Sequence, residues 1–159
     1  MDWDEYFMRH VYLAASKSKD PRTKIGAVLV KDGVIISEGY NGFPRKVKDL
    51  PERYANRETK YKYTAHGEHN SVLNACRRGV ATLDSICYTN GLPCNGCAIA
   101  LIQAGIKEVV IHRQWPEMTG WKDSMKITQE MFDEAGIVVR IFDQKLNLEA
   151  YIDGNKITV

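Results

Sequence analysis

The sequence predicts an α/β fold, a single domain of three layers with helices on both faces of a mixed five-stranded central sheet. Three observations support this prediction. A hairpin pattern lies near the start of the chain, strand and helix patterns alternate from residue 85 to residue 142, and a length of 159 residues with 44% hydrophobic residues suits one well-packed domain. Because a β-α-β succession pairs its strands in parallel and a hairpin pairs them antiparallel, we expect a mixed sheet.

The first part of the chain predicts one helix and one hairpin. A helix-capping spacing at Asp2 precedes apolar residues that recur at helical spacing over residues 3 to 17. Two apolar runs follow at residues 25 to 30 and 34 to 36, separated by Asp32-Gly33, a dipeptide that closes tight hairpins. Since the first run lacks polar alternation, we expect it to be covered on both faces.

The rest of the chain divides into a long insertion and a regular alternation of elements. Residues 44 to 65 show no clear period, and we interpret them as an ordered insertion. A helix begins at His66 and ends near Gly79. The elements that follow are a strand at 85 to 89, a helix at 94 to 104, a strand at 107 to 112, a helix at 122 to 135 and a strand at 137 to 142. The remaining tail predicts a short helix and a final strand.

The composition disfavours several classes of protein. The 22 Lys and Arg residues nearly balance the 20 Asp and Glu residues, and a formal net charge of +2 argues against a surface built to bind a polynucleotide. No apolar run approaches the roughly 18 residues of a membrane span, and the acidic start of the chain is unlike a signal peptide. We therefore expect a cytoplasmic protein without a membrane partner, whose four cysteines bind metal, act in catalysis or lie buried.

One group of residues combines metal ligands with a carboxylate. Cys94 and Cys97 form a Cys-x-x-Cys pair at the predicted start of one helix, and His66-Gly67-Glu68 begins another. This nitrogen and sulfur set suits Zn²⁺, and three protein ligands leave a fourth position for water. Glu68 would take a proton from that water and return it to a leaving group. His-x-Glu followed by Pro-Cys-x-x-Cys is the signature of zinc-dependent nucleobase deaminases.

Two other interpretations of these residues stay open. His112 or His69 would close the zinc shell with a fourth protein ligand, which would make it a structural site in a binding module. Alternatively, Cys94 and Cys97 would act as a thiol redox pair. A position open to water is what separates the catalytic site from the structural one.

With these motifs, the sequence resembles the cytidine deaminase superfamily, and within it most closely the deoxycytidylate (dCMP) deaminases. The resemblance runs from the first helix to about residue 142. Besides the zinc motif, it rests on four segments, which are residues 18 to 27, 39 to 44, 66 to 72 and 102 to 109. The long insertion before His66 is also typical of dCMP deaminases.

The resemblance implies a hydrolase that converts dCMP to dUMP and ammonia for pyrimidine nucleotide synthesis. It implies one catalytic zinc ion held by His66, Cys94 and Cys97, with Glu68 as the proton shuttle. Asn41 would hydrogen-bond the deoxyribose, because an amide has the donor and acceptor that a sugar hydroxyl needs. Other deaminase substrates, namely cytidine, dCTP or adenosine in transfer RNA, remain alternatives.

Three further residues are candidates for substrate contacts. The 5′-phosphate needs cationic donors, and Arg22 and Lys24 lie just before the first predicted strand. Solvated charges that flank a strand are the competing interpretation of this pair. Trp115 lies where relatives often have an aromatic residue, and it would either wall the pyrimidine or pack in the core.

The resemblance also implies a homo-oligomer, a hexamer in many relatives, that dCTP activates and dTTP inhibits. Arg77 and Arg78 are candidate contacts for such effectors. Since no His or Cys occurs between residues 44 and 65, no second, structural zinc ion is expected. The sequence departs from the family at two positions. Gly67 stands where relatives usually have Ala, and His69 stands where many relatives have Leu.

Overall fold

A mixed five-stranded sheet lies at the centre of the protein, whose computed structural model describes residues 1–116 and 119–159. The strands are β1 (Gly26–Lys31), β2 (Val34–Tyr40), β3 (Ile86–Thr89), β4 (Glu108–His112) and β5 (Val138–Phe142). Their order in the sheet is β2-β1-β3-β4-β5. β1 pairs antiparallel with β2 and β3, whereas β3, β4 and β5 run parallel. The predicted α/β class and mixed sheet are confirmed.

Helices cover both faces of this sheet. They are α1 (Trp3–Ala15), α2 (Pro51–Ala55), α3 (Arg57–Tyr63), α4 (Gly67–Arg77), α5 (Asn95–Gln103) and α6 (Lys122–Ala135), with a 3₁₀ turn at Thr119–Trp121. α1 packs on one face, and α4, α5 and α6 pack on the other. None of the described helices is both long and apolar enough to cross a membrane.

The sheet separates two apolar cores. Val28 and Val30 of β1 belong to the core under α1, and Ala27 and Leu29 belong to the core under α4, α5 and α6. Successive side chains of a strand point to opposite faces, so both sets are buried. This two-sided burial confirms the interpretation of the apolar run that forms β1.

Two segments differ from the expectation. The insertion contains the short helices α2 and α3, five and seven residues long, which are too short for a helical period to stand out in the sequence. The tail forms a hairpin of β6 (Glu149–Ile152) and β7 (Asn155–Thr158), so the predicted short helix is wrong. Asp153 and Gly154 both have positive φ in the turn, a conformation that closes tight hairpins and that Asp-Gly favours.

The β6–β7 hairpin is attached to the segment that precedes β1. The backbone N–H of Lys24 donates to the carbonyl oxygen of Tyr151 at 3.0 Å. The backbone N–H of Asp153 donates to the hydroxyl oxygen of Thr23 at 3.0 Å. The hairpin therefore fixes residues 22 to 24 from outside the central sheet.

Glycines let α4 lie directly against the sheet. A Cβ atom on Gly39 would lie 2.3 Å from the carbonyl oxygen of Gly67 and 2.3 Å from the backbone nitrogen of Ser71. A Cβ atom on Gly67 would in turn lie 3.0 Å from the carbonyl oxygen of Ile25. The start of α4 is thus held in backbone contact with β2 and with the residue before β1.

We expect Gly39→Ala to lower the free energy of unfolding by about 1–3 kcal/mol, since backbone must move to admit the methyl group. Gly42→Ala is the matched control, because the nearest atom to its added Cβ is a ring carbon of Tyr40 at 3.9 Å. We expect the control to stay within about 0.5 kcal/mol of the parent protein. Urea denaturation followed by circular dichroism measures both, and equal losses in the two variants would contradict the packing argument.

Candidate metal centre

Three metal-ligating side chains meet where two helices begin. His66 is the residue before α4, Cys94 is the residue before α5, and Cys97 lies in the first turn of α5. Their ligand atoms all lie within 4.8 Å of one another, and Nδ1 of His66 is 3.3 Å from the sulfur of Cys94. The structure therefore brings together the three ligands that the sequence motifs predict.

The helix starts explain this convergence. α4 and α5 pack against each other on the same face of the sheet. His66 and Cys94 both have extended backbone conformations at the N-cap positions, with ψ angles of 164° and 163°. The unpaired N–H groups and the positive end of the dipole at a helix start favour thiolates there.

The hydrogen bonds among His66, Cys94 and Cys97 favour the binding of a cation by this group. Cys97 donates to the sulfur of Cys94, and this interaction lowers the pKa of Cys94 well below its usual value. The same hydrogen bond, together with burial, raises the pKa of Cys97. The hydrogen bond to Cys94 also raises the pKa of His66. A cation that replaces the proton between the two sulfurs neutralises both thiolates, and Zn²⁺ fits this nitrogen and sulfur donor set.

A buried carboxylate lies beside the three ligands. Glu68 is in the first turn of α4 and is 5% exposed, and this burial raises its pKa. Oε1 lies 3.3 Å from the hydroxyl oxygen of Thr89, while Oε2 is buried with no hydrogen-bond partner among the described residues. An unpaired buried oxygen is costly, and a ligand or solvent molecule that meets it removes this cost. One oxygen of Glu68 is thus available for proton exchange with a bound molecule.

A cavity opens over this group, and His66, Glu68 and Cys94 form part of its wall. Trp115 lies in the same wall and is 7% exposed. A Cβ atom on Gly91 would lie only 2.6 Å from the indole ring, so glycine is needed for the ring to take this position. Trp115 therefore gives the cavity a large apolar side.

Asn41 also lines the cavity, although much of its amide is used within the protein. Oδ1 accepts a hydrogen bond from the backbone N–H of Ile25 at 2.8 Å, and Nδ2 donates to the carbonyl oxygen of Thr23 at 2.8 Å. An amide nitrogen has two hydrogens, so one donor remains for a ligand. Asn41 therefore holds the backbone just before β1 in place, and it also contributes a polar group to the cavity wall.

The cavity wall also contains residues that no sequence pattern indicates. Lys60 and Asp20 form a buried ion pair in its wall, with Nζ 2.7 Å from Oδ2. Trp121 contributes a second indole, whose ring centre is 5.7 Å from that of His66. A lysine in a segment without a clear period resembles a solvated charge in the sequence. Its partner lies far away in the chain, so no local pattern could have indicated the pair.

Four basic candidates lie outside the described wall of the cavity. Arg22 is exposed, and the ammonium of Lys24 lies over the ring of Tyr151, 5.4 Å from its centre, in a separate cleft. Arg77 and Arg78 are exposed at the C-terminal end of α4, whereas the metal ligands lie at its N-terminal end.

The two histidines that would close a structural zinc shell lie elsewhere. His112 is buried, with Nδ1 2.7 Å from the hydroxyl oxygen of Tyr12 and Nε2 2.8 Å from the carbonyl oxygen of Gln144. His69 is exposed and lines a different surface cleft together with Cys76. Among the described residues, the metal-ligating group therefore has three members.

The sequence and the fold are similar to those of known deaminases. Residues 1–113 match the family model of the cytidine and deoxycytidylate deaminase zinc-binding region. The chain is 36% identical over 151 residues to a deoxycytidylate deaminase of Homo sapiens. The alignment covers 91% of this chain and 82% of the relative. It is 36% identical over 138 residues to an uncharacterized deaminase of Aliivibrio fischeri, with 86% and 91% covered. The crystal structure of dCMP deaminase from cyanophage S-TIM5 in complex with dCMP and dUMP superposes with a TM-score of 0.70 at 25% identity, over 87% of this chain and 95% of that chain.

Proposed function

The chain belongs to the family of cytidine and deoxycytidylate deaminases, and on this basis we propose that it is a zinc-dependent hydrolase that converts dCMP to dUMP and ammonia. The observation that carries the proposal is the group of His66, Cys94 and Cys97 beside Glu68 in the wall of one cavity. The substrate is supported by the relative named deoxycytidylate deaminase and by the similar structure that holds dCMP and dUMP.

In the proposed mechanism, His66, Cys94 and Cys97 would hold one zinc ion. When bound, the ion would supply the Lewis acidity that lets water lose a proton near neutral pH. Glu68 accepts that proton as the water oxygen attacks C4 of cytosine, and it delivers a proton to N3 of the ring. Glu68 then moves the proton of the new hydroxyl group to the amino group, which leaves as ammonia. The unpaired Oε2 is the atom suited to these transfers.

Two cavity residues would orient the substrate. We assign the base to the apolar side that Trp115 provides, since an indole packs well against a pyrimidine ring. We assign the deoxyribose to Asn41, whose remaining amide hydrogen can reach a sugar hydroxyl.

A substrate panel tests the proposed function. We expect the purified protein to release ammonia from dCMP with a higher kcat/KM than from CMP, dCTP or deoxycytidine. Loss of the cytosine absorbance measures each rate. If none of the four is deaminated, the proposal is wrong. Preference for another of them identifies a different nucleotide specificity.

We further propose that the enzyme forms a homo-hexamer that dCTP activates and dTTP inhibits. Support comes from the resemblance to dCMP deaminases, and the exposed guanidinium groups of Arg77 and Arg78 are candidate contacts for an effector phosphate. Adding either nucleotide to the dCMP assay, with light scattering to determine mass, tests both parts. Rates that are independent of both nucleotides would refute the regulation.

A further inference from the structure

Lys60 is a buried cation in the wall of the substrate cavity. It belongs to α3 in the insertion, yet it is only 4% exposed. Its Nζ is 2.7 Å from Oδ2 of Asp20, whose side chain is likewise 4% exposed. The described part of the wall contains no other Lys or Arg, and it also includes Glu68. A single charge pair thus shares the cavity with the candidate catalytic group.

The carboxylate of Asp20 is fixed on its other side. Oδ1 accepts hydrogen bonds from the backbone N–H groups of Arg22 and Thr23, at 2.8 and 3.2 Å. These contacts leave Oδ2 to hold the ammonium of Lys60. An ammonium group has three N–H donors, so Lys60 keeps donors for another acceptor.

A contribution to the stability of the fold is a weak explanation for the burial of the Lys60–Asp20 pair. Desolvation of two buried charges cancels much or all of their attraction, and apolar side chains of similar size often serve a fold as well. The pair also lies in the wall of a cavity, not within either apolar core. A cation that is already desolvated and held in place makes strong charge-assisted hydrogen bonds to a phosphate.

We propose that Lys60 binds the 5′-phosphate of the substrate nucleotide and that Asp20 holds its ammonium in position. This inference rests on the proposed function, and it assigns to Lys60 the phosphate contact for which Arg22 and Lys24 were the candidates in the sequence. Because Lys60 is the one Lys or Arg in the described wall and is already paired with Asp20, no further cation meets additional phosphate groups, and the subsite favours a nucleoside monophosphate over a triphosphate.

The test measures binding of dCMP by calorimetry in a Glu68→Gln background, where turnover does not interfere. We expect Lys60→Met to raise the Kd for dCMP by about 10- to 100-fold, the usual effect of losing a charged hydrogen bond. Lys60→Arg, which keeps a cation, should recover part of this loss. Lys62→Met is the matched control, because Lys62 is on the same helix with a side chain 69% exposed, and it should leave the Kd unchanged.

A second variant separates binding from a purely structural role. Lys60→Met alone leaves Asp20 buried without its partner and is expected to lower the Tm. The double variant Asp20→Asn with Lys60→Met has no unpaired charge at this position. We expect it to recover the Tm but not the affinity for dCMP. If the double variant recovers both, or if Lys60→Met binds dCMP as the parent does, the proposal is overturned.

The proposed function and this inference can fail separately. A protein with Glu68 intact that deaminates dCMP, combined with an unchanged Kd in Lys60→Met, removes only the role of Lys60. A protein that does not turn over dCMP, yet binds it more weakly after Lys60→Met, removes the proposed reaction and retains the phosphate contact.

Discussion

Replacing Glu68 by Gln is expected to lower kcat for dCMP by about 10²–10⁴-fold, the usual contribution of a general acid–base group, while the zinc content stays unchanged. Glutamine has nearly the same shape, but its amide cannot accept and return a proton. His66, Cys94 and Cys97 are untouched, so the ion should remain bound. Because a neutral amide is cheaper to bury than a carboxylate, we expect a Tm equal to or above that of the parent.

Steady-state kinetics and elemental analysis of the same preparation measure both parts of this prediction. His69→Gln is the matched control, because His69 is the next residue in α4 but is exposed and lines a different cleft. The control should keep nearly full activity. Near-normal turnover by Glu68→Gln would refute the proton-shuttle role, whereas loss of zinc in that variant would point to a role in metal binding.

Replacing Cys97 by Ser is expected to remove both the metal and the activity. One of three protein ligands is lost, and a third of the roughly 10–16 kcal/mol typical of structural zinc corresponds to an affinity about 10²–10⁴-fold lower. Cys97 is also buried in the first turn of α5, where a hydroxyl is a poor substitute for a thiolate. The bound zinc should fall from about one ion per chain to a small fraction after dialysis.

Cys76→Ser provides the comparison, because Cys76 is an exposed thiol on α4 outside the metal-ligating group. We expect this variant to keep its zinc and its activity. Treatment of the parent protein with a strong chelator should reproduce the loss seen in Cys97→Ser, and added Zn²⁺ should restore the parent only. Full deaminase activity in metal-free protein would contradict the role that we assign to the zinc ion.

The sequence was most informative where function and structure depend on neighbouring residues. The spacing of Cys94 and Cys97 and the pair His66 and Glu68 are local patterns, and each begins a helix as predicted. β1 was predictable as a strand covered on both faces because burial leaves its side chains uniformly apolar. Local patterns of this kind need no knowledge of the rest of the fold.

Features that depend on distant residues could not be predicted in this way. The pairing of Lys60 with Asp20 exists only because α3 folds back over the segment before β1. Trp121 is the last residue of the 3₁₀ turn, and no neighbouring pattern indicates that its ring meets His66. The wrong prediction of a helix in place of the β6–β7 hairpin has a different cause. Asp153-Gly154 is a hairpin dipeptide, so the sequence itself contained the local signal for this turn.

The attachment of the β6–β7 hairpin has a consequence for the order in which the protein matures. Thr23 lines the cavity, and the backbone group that donates to it lies 130 residues later in the chain. During synthesis, the metal ligands therefore leave the ribosome well before β6 and β7, the strands whose hairpin holds Thr23 in the cavity wall. We expect a nascent chain that stops before β6 to acquire zinc but to hold dCMP poorly, because it lacks the hydrogen bonds that hold Thr23 and Lys24 in place.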